Sequence, residues 1–105
     1  MTETETEIQR QIMTIARGMG HKVYRLNSGK VRVGSRRIML CEPGTPDLLI
    51  VMRGGRLLWI EVKRPGERPT ETQKKRHKEL RDMGHSVAVC HSLDDFLVAL
   101  QEVAA

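Results

Sequence analysis

The sequence is poor in aromatic residues and in cysteine. Aromatics make up 3% of its 105 residues and apolar residues 39%, so the core must be built from aliphatic side chains. Cys41 and Cys90 stand alone and form no CxxC motif, so neither a redox motif nor a cysteine-rich zinc site is supported. A chain of this length has room for a single core, and we predict one domain over residues 1–105.

Membrane and histidine-metal signatures are also missing. The four histidines show no HxH or HExxH spacing, which argues against a histidine-based metal site. The longest apolar run is far shorter than the roughly 20 residues that span a bilayer, and the N-terminus is acidic, unlike a signal peptide. We therefore expect a soluble cytoplasmic protein with reduced thiols and no membrane association.

Positive charge is concentrated in the middle of the chain. Residues 17–81 hold 17 lysines and arginines against 6 acidic residues, whereas the whole chain has a net charge of only +5. A basic middle between acidic ends favours a polyanionic partner. A merely solubilising surface is the alternative.

Residues 44–63 carry the most informative pattern. Two apolar runs, residues 48–52 and 57–60, flank a Gly-Gly pair and predict a β-hairpin. Asp47 stands where the first strand begins, and Glu61 and Lys63 stand where the second ends. Because strand side chains alternate, Glu61 and Lys63 share a face. Two carboxylates beside an ammonium group suit a divalent cation next to an activated water.

This interpretation depends on the register of the hairpin. A strict two-residue turn at Gly54-Gly55 places Asp47 opposite Val62, on the other face from Glu61. A three-residue loop, or a bulge near Pro46, shifts the pairing by one and brings both carboxylates to one face. A metal site therefore requires a bulge or a loop of odd length.

The flanking segments predict a mixed β-sheet with helices packed against it. No GxGxxG motif follows a strand, which argues against a Rossmann fold. Thr4 with Glu7, and Thr70 with Gln73, fit capping boxes that open two helices. The predicted elements are a helix over residues 4–18, strands over 22–27, 30–33 and 36–41, a helix over 71–83, a strand over 87–90 and a last helix capped by Ser92.

The spacing around the hairpin resembles a nuclease signature. Pro46-Asp47, thirteen further residues and then Glu61-Val62-Lys63 are similar to the PD-(D/E)xK pattern. The surrounding motifs resemble the VRR-NUC branch of that superfamily, and the similarity covers nearly the whole chain. Those motifs are Glu7, residues 24–29 (YRLNSG), residues 44–47 (GTPD), residues 61–65 (EVKRP) and Gln73. The resemblance implies an α/β fold with a restriction-endonuclease-like core, a mixed β-sheet flanked by helices.

The resemblance also implies a catalytic site. Lys63 would orient the attacking water and offset charge on the phosphate, and Gln73 would brace the site. The implied ligands of Mg²⁺ or Mn²⁺ are Asp47, Glu61, the backbone carbonyl of Val62, and Glu7 either directly or through water. Glu7 has a second interpretation as a helix cap. Oxygen ligands without thiolates are typical of a hard cation.

Besides the catalytic residues and the metal ligands, a further set of residues is predicted to contact nucleic acid. Arg25 and Asn27 should point to one face, where the resemblance places them beside the active site; otherwise they are ordinary solvent-facing strand residues. The basic helix after residue 70 favours contact with phosphates, although a charged helix is often only a solvated surface. The predicted set is Arg25, Asn27, Ser28, Arg36, Arg37, Arg64, Lys74, Lys75 and Lys78.

The resemblance implies a metal-dependent endodeoxyribonuclease, and we predict that it cuts four-way (Holliday) junctions as a homodimer. Stand-alone VRR-NUC domains resemble junction resolvases, and two symmetric cuts suit a two-fold dimer. The apolar stripes of the first and last helices could serve either the core or a partner subunit. The alternatives are a non-catalytic nucleic-acid-binding module with the same fold, a general or flap nuclease, and a small protein-interaction domain with structural ion pairs.

Overall fold

The structure, a computed structural model, describes residues 3–26 and 29–104, and residues 29–33 and 36–40 are described by their backbone alone. It contains three helices and six strands in the order that the sequence predicts. In chain order they are α1 (Glu5–Gly18), β1 (Lys22–Arg25), β2 (Gly29–Val33), β3 (Arg36–Cys41), β4 (Leu48–Val51), β5 (Leu57–Val62), α2 (Glu71–Asp82), β6 (Ser86–Cys90) and α3 (Leu93–Ala104).

The main sheet is mixed and has four strands in the order β1-β4-β5-β6. Strand β4 is antiparallel to both β1 and β5, whereas β6 runs parallel to β5 after the crossover through α2. Strands β2 and β3 pair with each other and form a separate two-stranded sheet. That ribbon leaves the main sheet between β1 and β4, at the end where Asp47 lies.

The core lies between the sheet and helices α1 and α3. Ile8, Ile12 and Ala16 of α1 and Phe96 of α3 are fully buried against sheet residues such as Ile60. Most of the apolar stripes of the first and last helices therefore serve the core of one subunit, whereas Ile15 and Met19 of the first stripe are exposed. No helix in the described part of the chain is long and apolar enough to cross a membrane.

The β4–β5 hairpin has the three-residue loop that one of the two register predictions required. Leu48 is opposite Ile60, and the ladder closes where the Met52 N–H donates to the Arg56 carbonyl at 2.8 Å. Arg53, Gly54 and Gly55 form the loop, and both glycines have positive φ angles, 88° and 81°. Continuing this register places Asp47 opposite Glu61, so the two carboxylates face the same side of the sheet.

Candidate active site

Asp47 and Glu61 form a close carboxyl pair at one end of the hairpin. The Val62 N–H donates to Oδ2 of Asp47 at 2.7 Å. Just beyond the start of β4, this side-chain oxygen therefore accepts the hydrogen bond that a backbone carbonyl would accept if the strand pairing continued. The Asp47 carboxyl also interacts with that of Glu61, which is one cause of its raised pKa. Glu61 is 1% exposed and is one of the few buried charged residues of the described chain.

Burial and mutual repulsion hold a proton in this pair. Burial, the hydrogen bond to Glu61 and the Glu61 charge raise the pKa of Asp47 to about 7, against the opposing effects of the Val62 N–H and Lys63. Burial also raises the pKa of Glu61, although Asp47 and Lys63 counteract it. Asp47 is therefore the proton donor in the pair. A divalent cation bound between two such carboxylates would offset their repulsion and favour the ionised form of both.

Two side chains of helix α2 hold Glu61 in place, one on each oxygen. Gln73 accepts from the Thr70 N–H at 2.8 Å through Oε1, so its amide nitrogen points to Oε2 of Glu61 at 3.4 Å. Nε2 of His77 lies 3.1 Å from Oε1 of Glu61. Burial lowers the pKa of His77, with Arg81 as the next cause, so the neutral ring donates its Nε2–H to the carboxylate.

His77 is a site residue that the sequence interpretation missed. The spacing of the histidines to one another gives no signal, because the partner of His77 is a carboxylate sixteen residues away on β5. The available signal was its spacing from Gln73: residues four apart on a helix lie on the same face. Both predicted and missed residues of α2 thus contact the same carboxylate.

Lys63 lies close enough for its charge to act on both carboxyls. It is half-buried, it lowers the pKa of Asp47 and of Glu61, and by strand alternation it shares the face of Glu61. Its backbone N–H donates to the Cys90 carbonyl at 3.0 Å, which ties the end of β5 to β6. The structure therefore brings together Asp47, Glu61, Lys63 and Gln73 as predicted.

Glu7 lies outside this cluster in its capping role. Its Oε2 accepts from the Thr4 N–H at 3.3 Å, and its own N–H donates to the Thr4 hydroxyl at 3.1 Å, which completes the capping box of α1. Glu5 is the acid of α1 whose charge acts on Glu61, where it raises the pKa. Within residues 3–26 and 29–104 no three His, Cys, Asp or Glu side chains form a metal-binding group.

The remaining donors nevertheless fit Mg²⁺ or Mn²⁺. Mg²⁺ in phosphate-processing sites typically takes one or two carboxylates and completes its shell with waters and substrate oxygens. Asp47 and Glu61 supply two hard oxygen ligands, and the described part of the chain contributes no thiolate beside them.

Comparison with known proteins identifies the family of the chain. The VRR-NUC domain model matches residues 7–94. The chain belongs to the VRR-NUC domain family. It is 32% identical over 90 residues to "Putative nuclease p44" of Acyrthosiphon pisum secondary endosymbiont phage 1, an alignment that covers 86% of this chain and 85% of that protein.

Two solved VRR-NUC structures share the fold. One, titled "VRR_NUC domain", matches with a TM-score of 0.71 at 22% identity and covers 94% of this chain and 97% of its own. Another, titled "VRR_NUC domain protein", matches with a TM-score of 0.68 at 23% identity and covers 98% of this chain and 89% of its own. The predicted α/β architecture of a VRR-NUC protein is thereby confirmed.

In this VRR-NUC chain Gly44 fixes the conformation of the loop that precedes β4 and positions Asp47. Gly44 has a φ of 88°, and a Cβ there would lie 2.6 Å from the Thr72 carbonyl oxygen and 2.9 Å from Cγ of Arg76. The loop before β4 thus packs directly on the first turn of α2. Arg76 reinforces the contact through an ion pair with Glu42 of the loop, and it also pairs with Glu79 of its own helix.

The predicted nucleic-acid contacts belong to several separate segments of the chain. Arg25 pairs with Leu48, so it lies at the end of the sheet that carries Asp47, on the α1 face opposite the carboxylates. Arg64 pairs with Glu67, Lys74 with Glu71 and Lys78 with Asp82, all on the surface. The other positions are Lys75, exposed on α2; Arg36 and Arg37, which begin β3; and Asn27 and Ser28, which lie outside the described residues.

Proposed function

We propose that this chain is a Mg²⁺- or Mn²⁺-dependent endonuclease that hydrolyses phosphodiester bonds in DNA. The observation that carries the proposal is the pair of half-buried Asp47 and buried Glu61, opposite each other on one face with the charge of Lys63 beside them. Such a pair is poorly stable as two free carboxylates, and binding a divalent cation relieves the repulsion.

Each residue of the proposed site has its own role. Asp47, Glu61 and the Val62 carbonyl would hold the ion. Glu7 would reach it only through a water, because its carboxylate is engaged in the capping box of α1. When bound, the ion polarises the scissile phosphate and lowers the pKa of a water molecule. Lys63 orients that water and stabilises negative charge that develops on the phosphate oxygens. Gln73 and His77 keep the Glu61 carboxylate in one orientation.

The basic residues supply affinity for the DNA backbone. Positive side chains contact phosphates without reading the base sequence, so binding should depend on salt and only weakly on sequence. The backbone-contacting set includes Arg25, Arg36, Arg37, Arg64, Lys74, Lys75 and Lys78, together with Asn27 and Ser28.

We further propose that the enzyme works in the cytoplasm as a homodimer on four-way junctions. One 105-residue chain with one carboxyl pair makes one cut, whereas resolution of a junction needs two cuts on symmetry-related strands. A two-fold dimer supplies both cuts.

The test is a nicking assay on labelled four-way junction, flap and linear duplex, each with Mg²⁺, with Mn²⁺ and with EDTA, combined with light scattering at micromolar concentration. We expect Mg²⁺-dependent cleavage, fastest on the junction, and the mass of a dimer. Equal rates on all three substrates would leave a general nuclease, and a 12.0 kDa particle would contradict the dimer. DNA binding without cleavage in either metal would favour the non-catalytic module instead.

A further inference from the structure

A basic cleft runs between helix α1 and the edge strand β1. It encloses about 190 Å³, several times the roughly 30 Å³ that one water molecule takes in the liquid. Three arginines line it, Arg10 and Arg17 from α1 and Arg25 from β1, together with the hydroxyls of Thr6 and Thr14. We call this the arginine cleft.

The arginine cleft has no internal counter-charge. None of its lining residues is acidic, and within residues 3–26 and 29–104 no carboxylate forms an ion pair with Arg10, Arg17 or Arg25. The lysines of α2 differ, since Lys74 and Lys78 are paired within their own helix. Guanidinium groups gathered around one concave surface repel one another until an anion binds between them.

The donors around the cleft suit a phosphate. Arg17 already bonds weakly to the Val23 carbonyl at 3.4 Å through Nη2, which orients its guanidinium toward β1. Gln9 lines the same space, and its buried Oε1 finds no hydrogen-bond partner in the described chain. If the side-chain amide of Gln9 is flipped, its NH₂ group, a donor, occupies the position of Oε1. Guanidinium, hydroxyl and amide donors are the groups that contact backbone phosphates in protein–DNA complexes.

The position of the cleft relates it to the carboxyl pair. Arg25 is opposite Leu48, the residue after Asp47, and the Leu26 N–H donates to the Asp47 carbonyl at 2.7 Å. The arginine cleft and the carboxyl pair therefore lie at the same end of the sheet, on opposite faces. From strand spacing and sheet thickness the separation is on the order of 10–15 Å, roughly three to four nucleotides of B-form rise.

We propose that the arginine cleft binds one backbone phosphate of the DNA strand that continues from the cleavage site past the edge strand β1. Arg10 and Arg17 then position the strand without touching the reacting atoms. This assignment rests on the proposed nuclease function, but binding measured without cleavage tests it separately.

The first experiment measures DNA affinity in EDTA over a range of salt. We expect Arg10→Gln with Arg17→Gln to weaken binding about tenfold and to reduce the slope of log affinity against log salt by roughly 0.9. The matched control is Arg53→Gln with Arg56→Gln, which removes the same charge from the β4–β5 hairpin, outside the lining of the cleft. Arg10→Gln alone, which leaves the Arg17 bond to Val23 intact, should show part of the same effect.

The second experiment replaces single phosphates by neutral methylphosphonates along the cleaved strand. Wild-type protein should lose affinity at one position a fixed few nucleotides from the cut, and the Arg10→Gln, Arg17→Gln variant should lose none there. Equal losses in both proteins at every position, or an equal effect of the control pair in the first experiment, would overturn the proposal. If wild-type protein binds as expected but cuts no substrate in Mg²⁺, the nuclease function fails while the cleft stands.

Discussion

Nε2 of His77 lies 3.1 Å from Oε1 of Glu61, and both side chains are almost fully buried, at 2% and 1% exposure. This contact joins helix α2 to the strand that carries the acidic residue of the site. Because Gln73 holds the other oxygen from one turn earlier on the same helix, the orientation of Glu61 depends on how α2 packs against the sheet.

His77 should therefore act as a positioning residue for metal binding. We expect His77→Ala to weaken Mn²⁺ binding, measured by calorimetry, by about 10-fold or more, as is usual when a ligand loses its hydrogen-bond partner. His77→Gln, which keeps an NH₂ donor on a side chain of similar reach, should recover part of that affinity. His85→Ala is the control, because His85 packs edge-on against Trp59 and not on Glu61. If His77→Ala lowers the melting temperature but leaves Mn²⁺ affinity unchanged, its role is only structural.

The raised pKa of Asp47 predicts a pH-dependent stability of the metal-free protein. The ordinary pKa of the side chain is 3.8 and the folded value is about 7, so between these pH values the unfolded chain releases a proton that the folded chain keeps. The contribution of Asp47 to the free energy of unfolding is therefore full below pH 4 and is lost as the pH rises toward 7. In EDTA the melting temperature should fall across this range, and a divalent cation should restore it at pH 8.

Asp47→Asn is the control for that measurement, because it stays neutral at every pH. Glu61 also has a raised pKa, so it adds a further loss of stability as the pH rises. His77 has a lowered pKa, so below its ordinary pKa of 6.5 its contribution to stability increases as the pH rises. The informative quantity is thus the difference between wild type and variant. Parallel melting curves from pH 4 to pH 8 would contradict the assignment of the proton to Asp47.

Glu5 and Glu7, the two acidic residues at the start of α1, should have different functions. Glu7→Ala removes half of a capping box and should cost about 0.3–1.5 kcal/mol of stability. Glu7→Gln keeps the acceptor for the Thr4 N–H and should be nearly neutral. Glu5→Gln should raise the Mg²⁺ concentration for half-maximal cleavage a few-fold, because the Glu5 charge reaches Glu61. The opposite ranking of the two glutamine variants would identify Glu7 as the residue that supports the metal.

The lysines of α2 should contribute to DNA binding in proportion to the phosphates they neutralise. Neutral substitutions at Lys74, Lys75 and Lys78 should weaken binding equally on all sequences and flatten the salt slope by roughly 0.9 for each phosphate that is no longer neutralised. Lys74 and Lys78 already pair with Glu71 and Asp82 on the exposed helix surface, and such pairs are weak enough to exchange for phosphates. An unchanged slope would make this helix a solvated surface.

The sequence predicted the order of the elements because their caps and apolar periods are strong local signals. Both capping boxes and the helix that Ser92 opens are present. The hairpin register could not be decided, since Gly54 and Gly55 both accept positive φ and allow a loop of two or three residues. What finally sets the register is the pairing of β4 with β5 and the bond from Val62 to Asp47, which are contacts distant in sequence.

Tertiary packing accounts for the site features that were missed. No local pattern links His77 to Glu61, because the contact depends on the crossover from β5 through α2. The alternation of Arg25 along β1 was correct, but its face relative to Asp47 depends on the pairing of β1 with β4. The capping box of α1 correctly located Glu7, and the same box draws its carboxylate toward Thr4.

The central claim is that Asp47, Glu61 and Lys63 carry metal-dependent hydrolysis, and single-turnover cleavage by Lys63→Ala tests it most directly. The substrate is a labelled four-way junction in Mg²⁺, at protein concentrations that saturate it as measured in EDTA. We expect Lys63→Ala to bind the junction nearly as well as wild type and to cut it at least about 100-fold more slowly, as is typical when a positioned catalytic group is removed. Asp47→Ala and Glu61→Ala should behave in the same way. Cleavage by Lys63→Ala at the wild-type rate would contradict the account.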